Sequence, residues 1–203
     1  MRGSLIVIPL LSVTALPCRV VAQSVTAAPS PYPNITEIQH ALVGSWVGIL
    51  EYRDFSEPAT STKRVKLPTW LSIEPAGADL RFRYIYDDGP AKTVTENSLI
   101  RIDLATARYN VLDVTGKLED SYAIDGLAQL RQGRGDLTLT GRSTENHVPV
   151  EVRMRLRIGR NILEITRETA ASGEPYTFRH AYTLVRAAPP TSTPSKVELK
   201  NVK

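Results

Sequence analysis

From Val150 to Ile158 the chain alternates without a break, setting Val150, Val152, Met154, Leu156 and Ile158 against Glu151, Arg153, Arg155 and Arg157. Successive side chains of a strand point to opposite faces, so this segment reads as an extended strand with one face in a core and the other in water, as in an antiparallel sheet. Similar runs, divided by turn signals, recur roughly every ten to fifteen residues, the spacing of an all-β sandwich or barrel. Leu80, Phe82, Tyr84 and Tyr86 alternate with Arg81 and Arg83 before the turn Asp87-Asp88-Gly89-Pro90. Ile100 and Ile102, Tyr122 and Ile124, and Leu137 and Leu139 follow, with a Pro-interrupted run over Val65–Ile73 and a short one around Val111. No helical run is long enough to cover a sheet. Short connections favour a meander, so the expected fold is all-β, an antiparallel up-and-down β-barrel of about 8–10 strands able to take one small ligand inside.

The stretch Gly44–Arg53 is the expected first strand, with Trp46, Gly48, Leu50 and Tyr52 on the inner face. Gly44 and Gly48 flank the indole on that face, and glycine within a strand marks a bend or a close approach; here it is expected to give the indole room against the opposite wall. Upstream, Thr36 to Leu42 begins with a capping residue and spaces Ile38 and Leu42 four apart, which predicts a short helix plugging one barrel end with His40 in solvent.

After the Val150–Ile158 strand, Gly159-Arg160 offers a two-residue turn with glycine first. That register sets Arg155 opposite Glu164 on the wet face and Arg167 beside Val152 on the inner face. The arginine row reads as a solvated face or as a contact for an anionic partner. Arg167 either meets a carboxylate ligand at an open rim or points inward to be paired.

The N-terminus carries Arg2, an apolar run from Leu5 to Leu16, and Val20-Val21-Ala22. This is the pattern of a secretory signal cut after Ala22, and the run is too short for the ~20 apolar residues that span a bilayer. A lipoprotein signal at Cys18 is the rival, but Leu16 and Pro17 stand where that signal wants small residues. The expected organisation is a signal peptide over 1–22, a flexible leader over 23–35, a barrel over 36–187 and a disordered tail over 188–203, with a secreted or periplasmic destination. Asn34-Ile35-Thr36 is a glycosylation acceptor only in a eukaryotic source. Cys18 is the only cysteine, so the processed chain holds no disulfide and must rely on its core. Removing Arg2 and Arg19 lowers the formal charge from +4 to +2, and the tail carries that remainder in Lys196, Lys200 and Lys203 against Glu198. The folded part is neutral, and the high isoelectric point is no nucleic-acid footprint.

Motifs for catalysis are sparse. Three histidines (His40, His147, His180) without a processed-chain cysteine disfavour the usual structural zinc site, and no serine lies in a Gly-x-Ser-x-Gly elbow. Glu119-Asp120 and Asp87-Asp88 read as turn carboxylates, and Arg134-Gly135-Asp136 as turn chemistry, although it spells an integrin-binding tripeptide. Tyrosine is the unusual feature, eight residues against three Phe and two Trp. Tyr52, Tyr84, Tyr122 and Tyr182 fall in inward registers, where a hydroxyl needs a partner; a cavity with water or a polar ligand would supply one, as would bonding among the tyrosines. With Arg167 and His180, these four form the candidate ligand-binding set.

The expected last strand, Tyr176 to Arg186, puts Phe178, His180, Tyr182, Leu184 and Arg186 on one face. In a closed meander it pairs with the first strand and brings Arg186 over Trp46, a contact worth ~0.5–2 kcal/mol. Here the chain resembles the calycin superfamily, the lipocalins above all, which carry Gly-x-Trp on the first strand and an arginine from the end of the barrel packed on the Trp. Gly44-Ser45-Trp46 and Arg186 stand in those places, so Gly44, Trp46, Gly48 and Arg186 are expected to be structural. The chain lacks a Thr-Asp-Tyr-like middle motif, and a Pro/Ser-rich tail replaces the lipocalin helix. Gly44-x-Trp46-x-Gly48 is also similar to the nitrobindin branch, although Leu50 stands where that branch continues with glycine and no Tyr-Pro follows. The resemblance implies a barrel that binds a small, partly apolar ligand, as a monomer or weak homodimer with no membrane span. In the nitrobindin branch it implies haem held by a late-strand histidine, here His180. The alternatives are a calycin-like enzyme of isomerase or cyclase type, marked by a polar cluster in the cavity, and a filled barrel acting through its outer face.

Overall fold

Strands joined by short turns have little choice but to pair with their sequence neighbours, and this chain does so throughout. The structure, a computed structural model, describes residues 34–58 and 61–188. Ten strands follow one another: β1 (Gly44–Arg53), β2 (Arg64–Ala76), β3 (Asp79–Asp87), β4 (Thr93–Asp103), β5 (Arg108–Leu112), β6 (Leu118–Asp125), β7 (Gly135–Glu145), β8 (Val148–Ile158), β9 (Ile162–Ala170) and β10 (Thr177–Arg186). Each pairs antiparallel with the next, and β10 returns to pair with β1, closing an up-and-down barrel. Closure removes the free edge that an open sheet would present to other chains. The expected signal over 1–22, most of the expected leader over 23–35 and the expected tail beyond Ala188 lie outside the described residues. No helix among the described residues is long and apolar enough to cross a membrane.

Helix α1 (Ile35–Leu42) precedes β1. Its N-cap is Asn34, not Thr36; the Asn34 Oδ1 accepts from the Thr36 N–H at 3.0 Å. Ile38, Ala41 and Leu42 are buried across the end of the barrel where β1 starts, and His40 is exposed. Above this plug the inner faces are apolar and filled, with Trp46, Leu71, Ile73, Leu80, Leu139, Leu163 and Leu184 almost fully buried. Gly133 lies against α1 so closely that a Cβ would overlap the Glu37 carbonyl, so the Gln132-Gly133 turn helps seat the plug.

The β8–β9 hairpin corrects the expected register. Arg157, not Arg155, faces Glu164, and Arg167 pairs with Met154 rather than Val152. The turn is one residue later, because the Gly159 N–H donates to the Ile162 carbonyl and leaves Arg160-Asn161 at the tip. Gly159 is needed there for a close approach, since its Cβ would lie 2.6 Å from the Ile162 side chain. Moving the turn by one residue shifts every pair by two, which preserves the inward and outward faces. The arginine row is outward and paired, with Arg153 to Glu168 at 2.8 Å and Arg157 to Glu164 at 3.5 Å.

A second correction falls on β10, where the register shifts between Phe178 and His180. A bulge places two residues opposite one and turns the upstream part of the strand over. Phe178 therefore joins the outer face beneath the Arg64 guanidinium, 4.5 Å from its ring centre, instead of continuing the inner row of His180 and Tyr182.

Candidate functional site

At the sealed end, Arg186 lies with its guanidinium 4.1 Å from the Trp46 ring centre. It also donates to the Ala41 and Val43 carbonyls, each at 2.7 Å, while the Trp46 indole N–H donates to the Leu42 carbonyl at 2.9 Å. These are orphan acceptors at the C-terminus of α1, where a cation also meets the negative end of the helix dipole. Gly44, at φ 137°, has no Cβ to block Arg186; one would stand 2.5 Å from Nη1. A Cβ on Gly48 would overlap the Thr183 carbonyl of β10. The two glycines thus make room for the guanidinium and for the neighbouring strand, rather than for the indole against an opposite wall. Packing and hydrogen bonds close this end of the barrel.

The opposite end is open and holds a cavity of about 350 Å³. Leu50, Leu67 and Val94 form its apolar wall; Tyr52, Tyr86, Glu96, Arg179, His180 and Tyr182 bring polar groups to it, and Phe55 and Asp88 stand at its mouth. The Tyr86 hydroxyl donates to the Glu96 carboxylate at 3.0 Å and lies 2.9 Å from the Tyr182 hydroxyl. Tyr84 stacks on this pair, its ring centre 5.0 Å from that of Tyr182 and 6.0 Å from that of Tyr86. Burial pushes the Tyr182 hydroxyl up to about 12 and the Tyr86 hydroxyl beyond that. His180 meets Tyr182 edge to face at 5.4 Å. Burial, reinforced by the nearby Arg167 and Arg179 charges, holds the imidazole down at about 3, so the ring is neutral at ordinary pH.

Behind the pocket wall lies a second polar group. The Tyr122 hydroxyl donates to Asp120 at 2.8 Å and accepts from Arg167 at 3.3 Å. Arg167 and Arg179 share Glu145, at 3.3 and 3.1 Å, and the Arg179 guanidinium covers Phe55 at 4.0 Å. Arg167 is thus inward and paired.

Of the six candidate residues, Tyr52, His180 and Tyr182 line one cavity, Tyr84 packs against it, and Tyr122 and Arg167 occupy the adjoining network. Sequence reasoning missed four contributors. Tyr86 carried the right alternation but was not singled out, and Glu96 shares the inner face through its pairing with Tyr84. Arg179 reaches the cavity only because of the β10 bulge, and Asp120 stands in β6 bonded to Tyr122 and Ser143 rather than in a turn.

The cavity does not fit a haem on His180. A ligating imidazole is ordinarily oriented by a hydrogen bond from its second nitrogen, and among the described residues none holds the His180 ring in this way. The bonded Tyr86–Tyr182 pair also shares with His180 the lining of a cavity of about 350 Å³. No family model matches the sequence, and a search of curated proteins finds no similar one.

Proposed function

We propose that the protein is an exported binding protein, secreted or periplasmic, that holds a small, partly apolar molecule in the open-end cavity of a calycin-like barrel. The carrying observation is the division of that cavity: an aliphatic wall of Leu50, Leu67 and Val94 faces Tyr52, His180, Tyr182 and Glu96. A volume of about 350 Å³ is in the range of small-molecule sites, which take one apolar body and fix it with a few polar groups. The polar groups of the cavity, Tyr52, Tyr86, Glu96, Arg179, His180 and Tyr182, also raise a second reading, an isomerase or cyclase acting on the bound molecule. The buried tyrosine hydroxyls keep their protons and His180 stays neutral, which favours hydrogen bonding to a ligand over proton transfer at neutral pH. The signal pattern over 1–22 supports export.

Native mass spectrometry of protein purified from its own source tests the reading. Protein carrying a stoichiometric adduct, absent from Leu67→Trp in which the indole fills the cavity, is the expected result. An identical adduct in both, or none in either after gentle purification, would sink it.

A further inference from the structure

The hydrogen bonds across the cavity have a direction. As a carboxylate, Glu96 can only accept, and a tyrosine hydroxyl has one proton to give. The Tyr86 proton goes to Glu96, so the 2.9 Å contact between Tyr86 and Tyr182 is made with the Tyr182 proton. Tyr182 then has no proton left, and what it turns to the cavity is an oxygen lone pair. His180 stands beside it in the same lining with a neutral ring, which presents one N–H donor and one acceptor nitrogen.

The two neighbours therefore ask for a group that both gives and takes a hydrogen bond. A hydroxyl does this, donating to Tyr182 and accepting from His180. An ether or a ketone has no proton for Tyr182, and a carboxylate would also bring a negative charge toward Glu96. An ammonium has protons for Tyr182 but no lone pair to accept the His180 N–H. We infer that the cavity selects an apolar alcohol or phenol, its O–H donating to the Tyr182 oxygen and its hydrocarbon body on Leu50, Leu67 and Val94.

This rests on the binding reading above, and the test separates the two. Isothermal titration calorimetry of the full chain would compare 2-naphthol, 2-methoxynaphthalene and 2-naphthoate, three probes with one apolar body and different polar ends. 2-Naphthol should bind about tenfold more tightly than the ether, the worth of one hydrogen bond. Glu96→Gln, of the same shape, supplies an amide donor to Tyr86; the row can then reverse and turn the Tyr182 proton toward the cavity, so the preference should fall to about threefold or less. Tyr182→Phe should weaken 2-naphthol and leave the ether unchanged, and matched melting temperatures would show that neither variant acts through the fold. Equal binding of hydroxyl and ether, tighter binding of 2-naphthoate, or a preference unmoved by Glu96→Gln would overturn the inference while leaving the cavity a binding site. Failure of all three probes to bind would remove both.

Discussion

The clasp between Arg186 and α1 makes a quantitative prediction through a double-mutant cycle. Trp46 is fully buried, and Trp46→Ala should cost ~3–5 kcal/mol, the usual range for truncating a large core aromatic. Arg186→Ala removes the stacking, worth ~1–2 kcal/mol in this partly desolvated place, two charge-assisted bonds to the Ala41 and Val43 carbonyls, and an exposed, longer bond to the Arg160 carbonyl that adds little. Those carbonyls lie at the barrel end, where water can replace part of what is lost, so the bonds should add ~1–2 kcal/mol between them. The total for Arg186→Ala is then about 3 kcal/mol. A guanidinium that served only as a stacking partner would cost nothing to remove once Trp46 is gone. The bonds to the helix carbonyls predict instead that Arg186→Ala still costs ~1–2 kcal/mol in the Trp46→Ala background, with a coupling energy of ~1–2 kcal/mol. Urea unfolding followed by far-ultraviolet circular dichroism on the four proteins measures both quantities. Additivity within about 0.5 kcal/mol would remove the stacking contribution, and a zero cost of Arg186→Ala in the second background would remove the carbonyl bonds.

Two further expectations concern stability. His180 is held at about 3 when folded and returns to ~6.5 in the unfolded chain, so between these values the unfolded state binds more protons and stability falls as pH falls. Between pH 7 and pH 5 this group should cost the wild type up to ~2 kcal/mol, and urea midpoints of His180→Asn should lack that component; parallel pH profiles for the two proteins would refute it. Gly48→Ala must push β1 away from the Thr183 carbonyl and should destabilise by about 3 kcal/mol, and an unchanged melting temperature would show that the seam yields freely.

The inward and outward faces could be read from the sequence because they depend on parity alone, and parity survives small errors of position. The β8 face from Val152 to Ile158 is buried as its alternation implies, although the turn that sets its partners lies one residue further on. Phe178 shows the limit, because a single bulged residue reverses parity upstream of it and nothing in Phe-Arg-His marks the bulge. The inward tyrosines were equally readable one at a time. What joins them is not local: Tyr86 and Tyr182 are 96 positions apart, and Arg167 and Tyr122 are 45 apart. A list of inward residues therefore mixes those that line the cavity with those whose hydroxyls are already satisfied behind it.

The clasp on α1 also bears on the order of events in folding. Val43 and Arg186 are 143 positions apart, and the β1–β10 seam joins the same two regions. Until β10 has been synthesised, β1 is paired on one side only, with β2, and the plug lacks the cation that holds its last turn. The nascent chain thus carries a meander with two unpaired edges and cannot complete the barrel from its N-terminal half. Contacts of such long separation slow folding, so closure of the seam is the expected late step, leaving a window in which the chain is unlocked and its strand edges are open to other molecules.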